Sequence, residues 1–251
     1  MDPKARITLA EELHARIVAT AGFAIEQRMR TISRMTEMVA LNHAELRIAI
    51  RALADPRLAS NIARVRNEDS HDARDDLFEV ARRLDSYLSS AVSRVERTRL
   101  MSTDLKELDT TLAGDCDVQL EALRRRPVYR LMEYLRDHSP HVSFHALQYE
   151  VTFKPPDGQP VTGGRVPAVG AVSVYIVKPP LKAQRSRRQK DKDSPLASYP
   201  ERLDIESLTR EFNEAADVFI GWYVDRLQEL LELHGDEWDR LRDELRTALS
   251  G

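Results

Sequence analysis

The sequence predicts a mainly α protein: a long-helix bundle with a small inserted β-hairpin and a short C-terminal helix. Three observations carry this. Apolar residues recur at three- and four-residue steps over most of the 251 positions, the spacing that lines one face of an α-helix. Aromatic residues make up only 6% and glycines number nine, low for an all-β chain. The period shortens to two in a single region, beginning at His145. The chain reads as one domain, 1–251, with 142–178 a β-hairpin insertion and 179–203 a mobile basic loop.

The first helix is expected over 8–54. Thr8 and Glu11 have capping-box spacing. Leu9, Leu13, Ile17, Ile25, Ile32, Met35, Val39 and Leu46 form its stripe. Gly22 marks a kink, and Asp55-Pro56 stops it because proline disfavours helix before itself. A short helix over 56–65 and a charged loop over 66–76 follow. A second long helix is expected over 77–126, with a break at Gly114. Pro127 opens another, since a missing amide hydrogen costs nothing at a first helical position. That helix ends near Pro140.

Alternation through His145, Leu147, Tyr149, Val151 and Phe153 predicts one strand, and 169–177 a second. Pro155-Pro156-Asp157-Gly158 supplies turn chemistry between them. Asp204 caps a last long helix carrying Ile205, Leu208, Phe212, Phe219, Tyr223 and Leu227. Gly235 closes it, and Asp236 caps an amphipathic tail with Trp238, Leu241 and Leu245.

Charged residues make up 31% and the formal net charge is −3, so no global charge draws the chain to nucleic acid or an anionic membrane. A basic site has to be local. One cysteine, Cys116, excludes an intramolecular disulfide and a cysteine-based zinc site within one chain. No apolar run approaches the ~18 residues of a membrane span, and the start is charged, unlike a signal peptide. The expected location is the cytoplasm, with no cofactor.

The sharpest chemical pattern is Arg136-Asp137-His138-Ser139-Pro140-His141 at a helix end. Pro140 releases His141 from helical geometry, so its imidazole can turn back towards Arg136. An imidazole titrating near neutral pH can take a proton from a ribose 2′-hydroxyl or give one to a leaving oxygen. A guanidinium can neutralise charge growing on phosphoryl oxygens. Asp137 is suited to fixing the arginine rotamer or the histidine tautomer. No metal is needed. Arg124, Arg125, Arg126 and Arg130 lie within about three helical turns of Arg136 and are candidate RNA contacts. So are Arg185, Arg187 and Arg188 in the basic run that includes Lys182, Lys190 and Lys192, through phosphate attraction. His138, His141 and His145 have metal-ligand spacing on a continuous helix, but Pro140 and the strand pattern break that geometry.

The segment Tyr134-Leu135-Arg136-Asp137-His138-Ser139-Pro140-His141 resembles the Arg-polar-x-x-x-His signature of the HEPN superfamily. A β-region followed by Leu203-Asp204-Ile205-Glu206-Ser207-Leu208 through Phe219-Ile220-Gly221-Trp222 is similar to bacterial HEPN-like proteins. The resemblance spans about residues 75 to 235. It implies a metal-independent endoribonuclease of a defence or toxin–antitoxin system, with Arg136 and His141 catalytic and Asp137 tuning them. It also implies a homodimer sharing one cleft, and a protein partner such as an antitoxin or defence-system subunit. The rival expectation is a non-catalytic helical binding or scaffolding protein, using its N-terminal helix and the stripe Met29, Met35, Met38.

Overall fold

The computed structural model describes residues 3–53, 71–138, 147–154, 169–177 and 199–250. In chain order they form α1 (Pro3–Val18), α2 (Ala21–Ala52), α3 (His71–Asp104), α4 (Leu112–Arg124), α5 (Pro127–His138), β1 (Leu147–Lys154), β2 (Val169–Val177), β3 (Arg202–Asp204), α6 (Ile205–His234) and α7 (Asp236–Ser250). The protein is a mainly α helical bundle with a small antiparallel sheet. No helix among the described residues is long and apolar enough to cross a membrane.

The helix expected over 8–54 is two helices. Pro3 starts α1, five residues before Thr8, whose hydroxyl donates back to the Lys4 carbonyl at 3.2 Å instead of capping. The break falls at Ala19-Thr20. There the Thr20 hydroxyl oxygen accepts from the Phe23 amide at 3.2 Å, the bond of an N-cap. Gly22 does not kink the chain. It lies in the first turn of α2, where a Cβ would stand 2.7 Å from Cβ of Trp238. Residue 22 is glycine because an indole lies against it.

The second break is also displaced. Gly114 sits inside α4 with nothing within 4 Å of an added Cβ. The chain instead turns between α3 and α4, where Asp109 organises it. One carboxylate oxygen accepts from the Thr111 amide and hydroxyl, both at 2.8 Å, and from the Leu112 amide at 3.2 Å. The other takes Arg226 at 2.8 Å. Burial pushes this carboxyl up, but the hydrogen bonds outweigh it and hold Asp109 below the usual range. At the far end, α3 begins at His71, so the stretch expected as a loop over 66–76 is helical from that residue on. The helix expected over 56–65 lies outside the described residues.

The chain divides into two compact units: residues 1–37, 93–123 and 216–251, and residues 38–92 and 124–215. In the first, α1 packs on α7. Leu13, Ile17, Trp238 and Leu241 form a buried cluster, with Phe23 and Leu245 against it. The Arg6 guanidinium donates to the Ala248 and Leu249 carbonyls at 3.3 and 2.7 Å, placing a cation on carbonyls the last turn of α7 leaves open. Gly235 separates α6 from α7. An added Cβ would run into the Leu231 carbonyl oxygen, and the Gly235 carbonyl accepts from the Asp239 amide. Gly235 thus holds the capping position expected of Asp236, which is the first residue of α7. Arg94, 2% exposed, is held by the more open Asp217 at 2.9 Å.

In the second unit, β1, β2 and β3 form an antiparallel sheet in that order. The register aligns Leu147 with Ile176 and Ile176 with Leu203, a buried row across all three strands. Arg202 reaches Glu150 at 2.6 Å and lies over the Tyr175 ring. The basic loop expected over 179–203 therefore ends earlier: Arg202–Asp204 pair with β2 because Leu203 has an apolar row to complete. Asp204 caps α6 as expected, accepting from the Ser207 amide at 2.7 Å. The remaining core comes from Val39, Leu46 and Ile50 of α2, Val80, Leu84, Tyr87 and Leu88 of α3, Val128, Leu131, Met132 and Leu135 of α5, and Leu208 and Phe212 of α6.

Two glycines in helices should respond oppositely to alanine. Gly22→Ala drives a methyl into Trp238 and should cost about 1–3 kcal/mol, the usual penalty of overpacking. Gly221→Ala, with open space around its Cβ, should stabilise by roughly 0.5–1 kcal/mol. Denaturant unfolding followed by tryptophan fluorescence checks both; equal effects would contradict the packing described. A third variant, Asp217→Ala, removes the acceptor of the buried Arg94 guanidinium and should destabilise by about 1–3 kcal/mol in the same assay.

Candidate functional site

α5 presents the arginine-rich segment. Pro127 occupies its first position, and the Arg126 carbonyl accepts from the amides of Tyr129 and Arg130. Val128, Leu131, Met132 and Leu135 point into the core, which fixes the rotation of the helix and turns Arg130 and Asp137 outward. Arg136 is half-buried at the edge of that face. Its Nε and Nη2 both reach Oδ1 of Asp137, at 3.0 and 2.9 Å. Arg124, Arg125, Arg126 and Arg130 are all exposed.

The structure therefore brings Arg136 and Asp137 together and leaves the four neighbouring arginines open to solvent. His141 and His145 lie outside the described residues, as do Lys182, Arg185, Arg187, Arg188, Lys190 and Lys192. Among the described residues no three His, Cys, Asp or Glu side chains gather where a metal ion could sit. Cys116 is buried, and burial pushes its thiol up, the opposite of an activated nucleophile.

A second polar constellation, in the same unit as α5, was not singled out from the sequence. His43 on α2 places Nε2 at 3.2 Å from the Thr209 hydroxyl of α6. That hydroxyl gives its own proton back to its helix, to the Ile205 carbonyl at 2.9 Å with the Glu206 carbonyl at 3.2 Å. Its oxygen can then only accept, so Nε2 carries the ring proton and Nδ1 is the unprotonated nitrogen. His43 as a whole is partly exposed. The Tyr87 ring stands 5.3 Å from the imidazole, and its hydroxyl donates to Asn213 Oδ1 at 2.8 Å and towards the Thr209 carbonyl at 3.1 Å. Arg47, one turn along α2, lies 3.6 Å from Glu206, with both side chains about half exposed.

Burial is the main reason the His43 imidazole titrates below its ordinary value of 6.5; Arg47 lowers it further and Glu206 opposes. The signal for this cluster was present but quiet. His43 and Arg47 are four residues apart, and Thr209 is the hydroxyl within the stripe of Ile205, Leu208 and Phe212. Nothing in the sequence says that α2 and α6 bring them together.

Comparison with protein-family models, with curated proteins and with solved structures finds no match.

The His43 arrangement has a pH signature. The folded state binds a proton at His43 less readily than the unfolded chain, so its contribution is fully present above about pH 6.5 and is lost as pH falls from there through the lowered folded value. Thermal midpoints of the wild type should fall between pH 7 and 5, and the fall should be smaller in His43→Gln, whose amide can still donate to Thr209. Parallel curves for the two proteins would contradict the tautomer and the shift.

Proposed function

We propose that this chain is a metal-independent endoribonuclease, of the kind found in defence and toxin–antitoxin systems, acting through Arg136 and His141. One observation carries the reading. Arg136 is half-buried and bonded through Nε and Nη2 to Asp137, on a helix whose exposed face also bears Arg130 and, just before it, Arg124, Arg125 and Arg126. A partly exposed pair between chain neighbours is worth only about 0–1 kcal/mol of stability, so its use is better sought in placing a guanidinium for phosphoryl oxygens. In this scheme Arg136 neutralises charge on the phosphoryl group, and His141 takes or gives the proton. Asp137 is the positioning residue. RNA is the partner, and two copies share the cleft.

A binding or scaffolding role is the second reading, favoured by one surface. Met35 is turned into the core, which removes it from the expected partner-binding stripe. Further along α2, however, Met38, Leu41 and Ile48 are exposed at helical spacing.

Purified protein incubated with mixed cellular RNA and EDTA separates the two. Arg136→Ala and His141→Ala should each lower cleavage by ~10²–10⁴-fold, the range of acid–base and charge-stabilising groups. Folding should be nearly unchanged, and Asp137→Asn should be milder. Cleavage by His141→Ala equal to that of the wild type would overturn the catalytic assignment. Loss of self-association on Leu41→Glu, without any cleavage by the wild type, would favour the scaffold.

A further inference from the structure

We propose that His43 and Arg47 form a binding site for a phosphate ester with a free hydroxyl on the neighbouring carbon. The ligand follows from what the two side chains lack. His43 gives Nε2–H to Thr209, leaving Nδ1 as an acceptor with no partner among the described residues, so it calls for a donor. The donor cannot be Arg47 itself, whose guanidinium makes no hydrogen bond among the described residues and meets Glu206 only at 3.6 Å. That guanidinium calls for an anion with two acceptor oxygens. Four residues apart on one helix, the two Cβ atoms stand about 5–6 Å from each other. This is the scale of a hydroxyl beside a phosphoryl group in one small molecule.

The surroundings suit that ligand. Tyr87, Asn213 and Thr209 fix the imidazole from behind through α3 and α6. The position of Nδ1 is thereby set before anything binds, so little ordering cost falls on the ligand. Among the described residues, Glu206 is the carboxylate that acts on His43 and meets Arg47. Half exposed and 3.6 Å from Arg47, it contributes little as an ion-pair partner and can yield Arg47 to a doubly charged phosphate. A neutral imidazole accepts the ligand's hydroxyl, whereas a protonated one would need an acceptor instead; the lowered titration of His43 keeps the first form at neutral pH.

The site goes beyond the ribonuclease reading and does not use the end of α5. Two sources present this chemistry: the 3′-end of a ribonucleotide and a small polyol phosphate. The test follows the histidine ring signals of the intact protein by NMR, with His43 assigned from His43→Gln. Three probes are titrated: uridine 3′-monophosphate, 2′-deoxyuridine 3′-monophosphate and glycerol 3-phosphate.

The His43 signal should move with the first probe, and about tenfold more weakly with the deoxy compound, the loss of one hydrogen bond. Arg47→Ala should remove binding of all three probes. His43→Gln keeps a donor for Thr209 and removes the Nδ1 acceptor. Its binding, read from the probe's own phosphorus signal, should persist without the tenfold preference. Glycerol 3-phosphate binding as tightly as uridine 3′-monophosphate assigns the site to small phosphate esters, and weaker binding assigns it to ribonucleotides. An unmoved His43 signal, an equal response to the deoxy probe, or an unchanged preference in His43→Gln overturns the proposal. RNA cleavage that depends on Arg136 alongside a silent His43 would leave the ribonuclease reading standing without this site. The reverse pattern would leave the site standing alone.

Discussion

A long helix satisfies its own backbone, so the polar side chains its apolar stripe carries inward must find partners close at hand. In this protein they turn to the preceding turn. Thr20 donates to the Ile17 carbonyl, Ser90 to Tyr87, Thr98 to Arg94, Ser102 to Arg99 and Thr209 to Ile205. Each bond spares a buried hydroxyl a desolvation cost of about 1–3 kcal/mol, without asking anything of a neighbouring helix. The consequence is chemical where another polar group meets such a hydroxyl. Because the Thr209 proton goes to its own helix, the oxygen can only accept, and the His43 tautomer follows.

Much of the surface charge is handled with the same locality, although Arg47–Glu206 and Arg202–Glu150 join different elements. Arg82 and Arg83 share Glu79, Arg240 meets Glu237 and Glu244, and Arg246 meets Asp243, all within about one turn. Such pairs keep helix faces soluble and contribute little stability. Arg94 is different: its guanidinium is buried and its carboxylate, on Asp217, comes from another helix. Asp109 is different again, since its largely buried carboxylate supports a turn through four donors. Arg136 lies between these cases. It is half-buried yet bonded to its immediate neighbour Asp137, a bond with little stabilising effect.

Helix ends in this chain are decided by space as much as by propensity. Gly22 and Gly114 both look like interruptions in a helical stripe, and both lie inside helices. Gly22 answers to Trp238, an aromatic ring from more than two hundred positions away in sequence. The actual breaks occur at Thr20 and Asp109, side chains whose oxygens accept the amides a helix start leaves open.

The sequence by itself determined the fold class, the hairpin and most elements, because a repeat of three to four residues and a repeat of two are local properties of a chain. It also marked Asp204 as a cap and Pro127 as a helix opener, since both act on amides within a few positions. The Arg136–Asp137 pair was legible for the same reason. Tertiary structure alone decided the rest. β3 exists because Leu203 completes a row begun by Leu147 and Ile176. Met35 is core and Met38 is not, because helix rotation is set by what packs against it. His43 gains a defined tautomer and a lowered titration only when Thr209, Tyr87 and Arg47 surround it. A single sequence carries no record of which of its many polar residues will share a wall, since that is settled by helices packing across long intervals of chain.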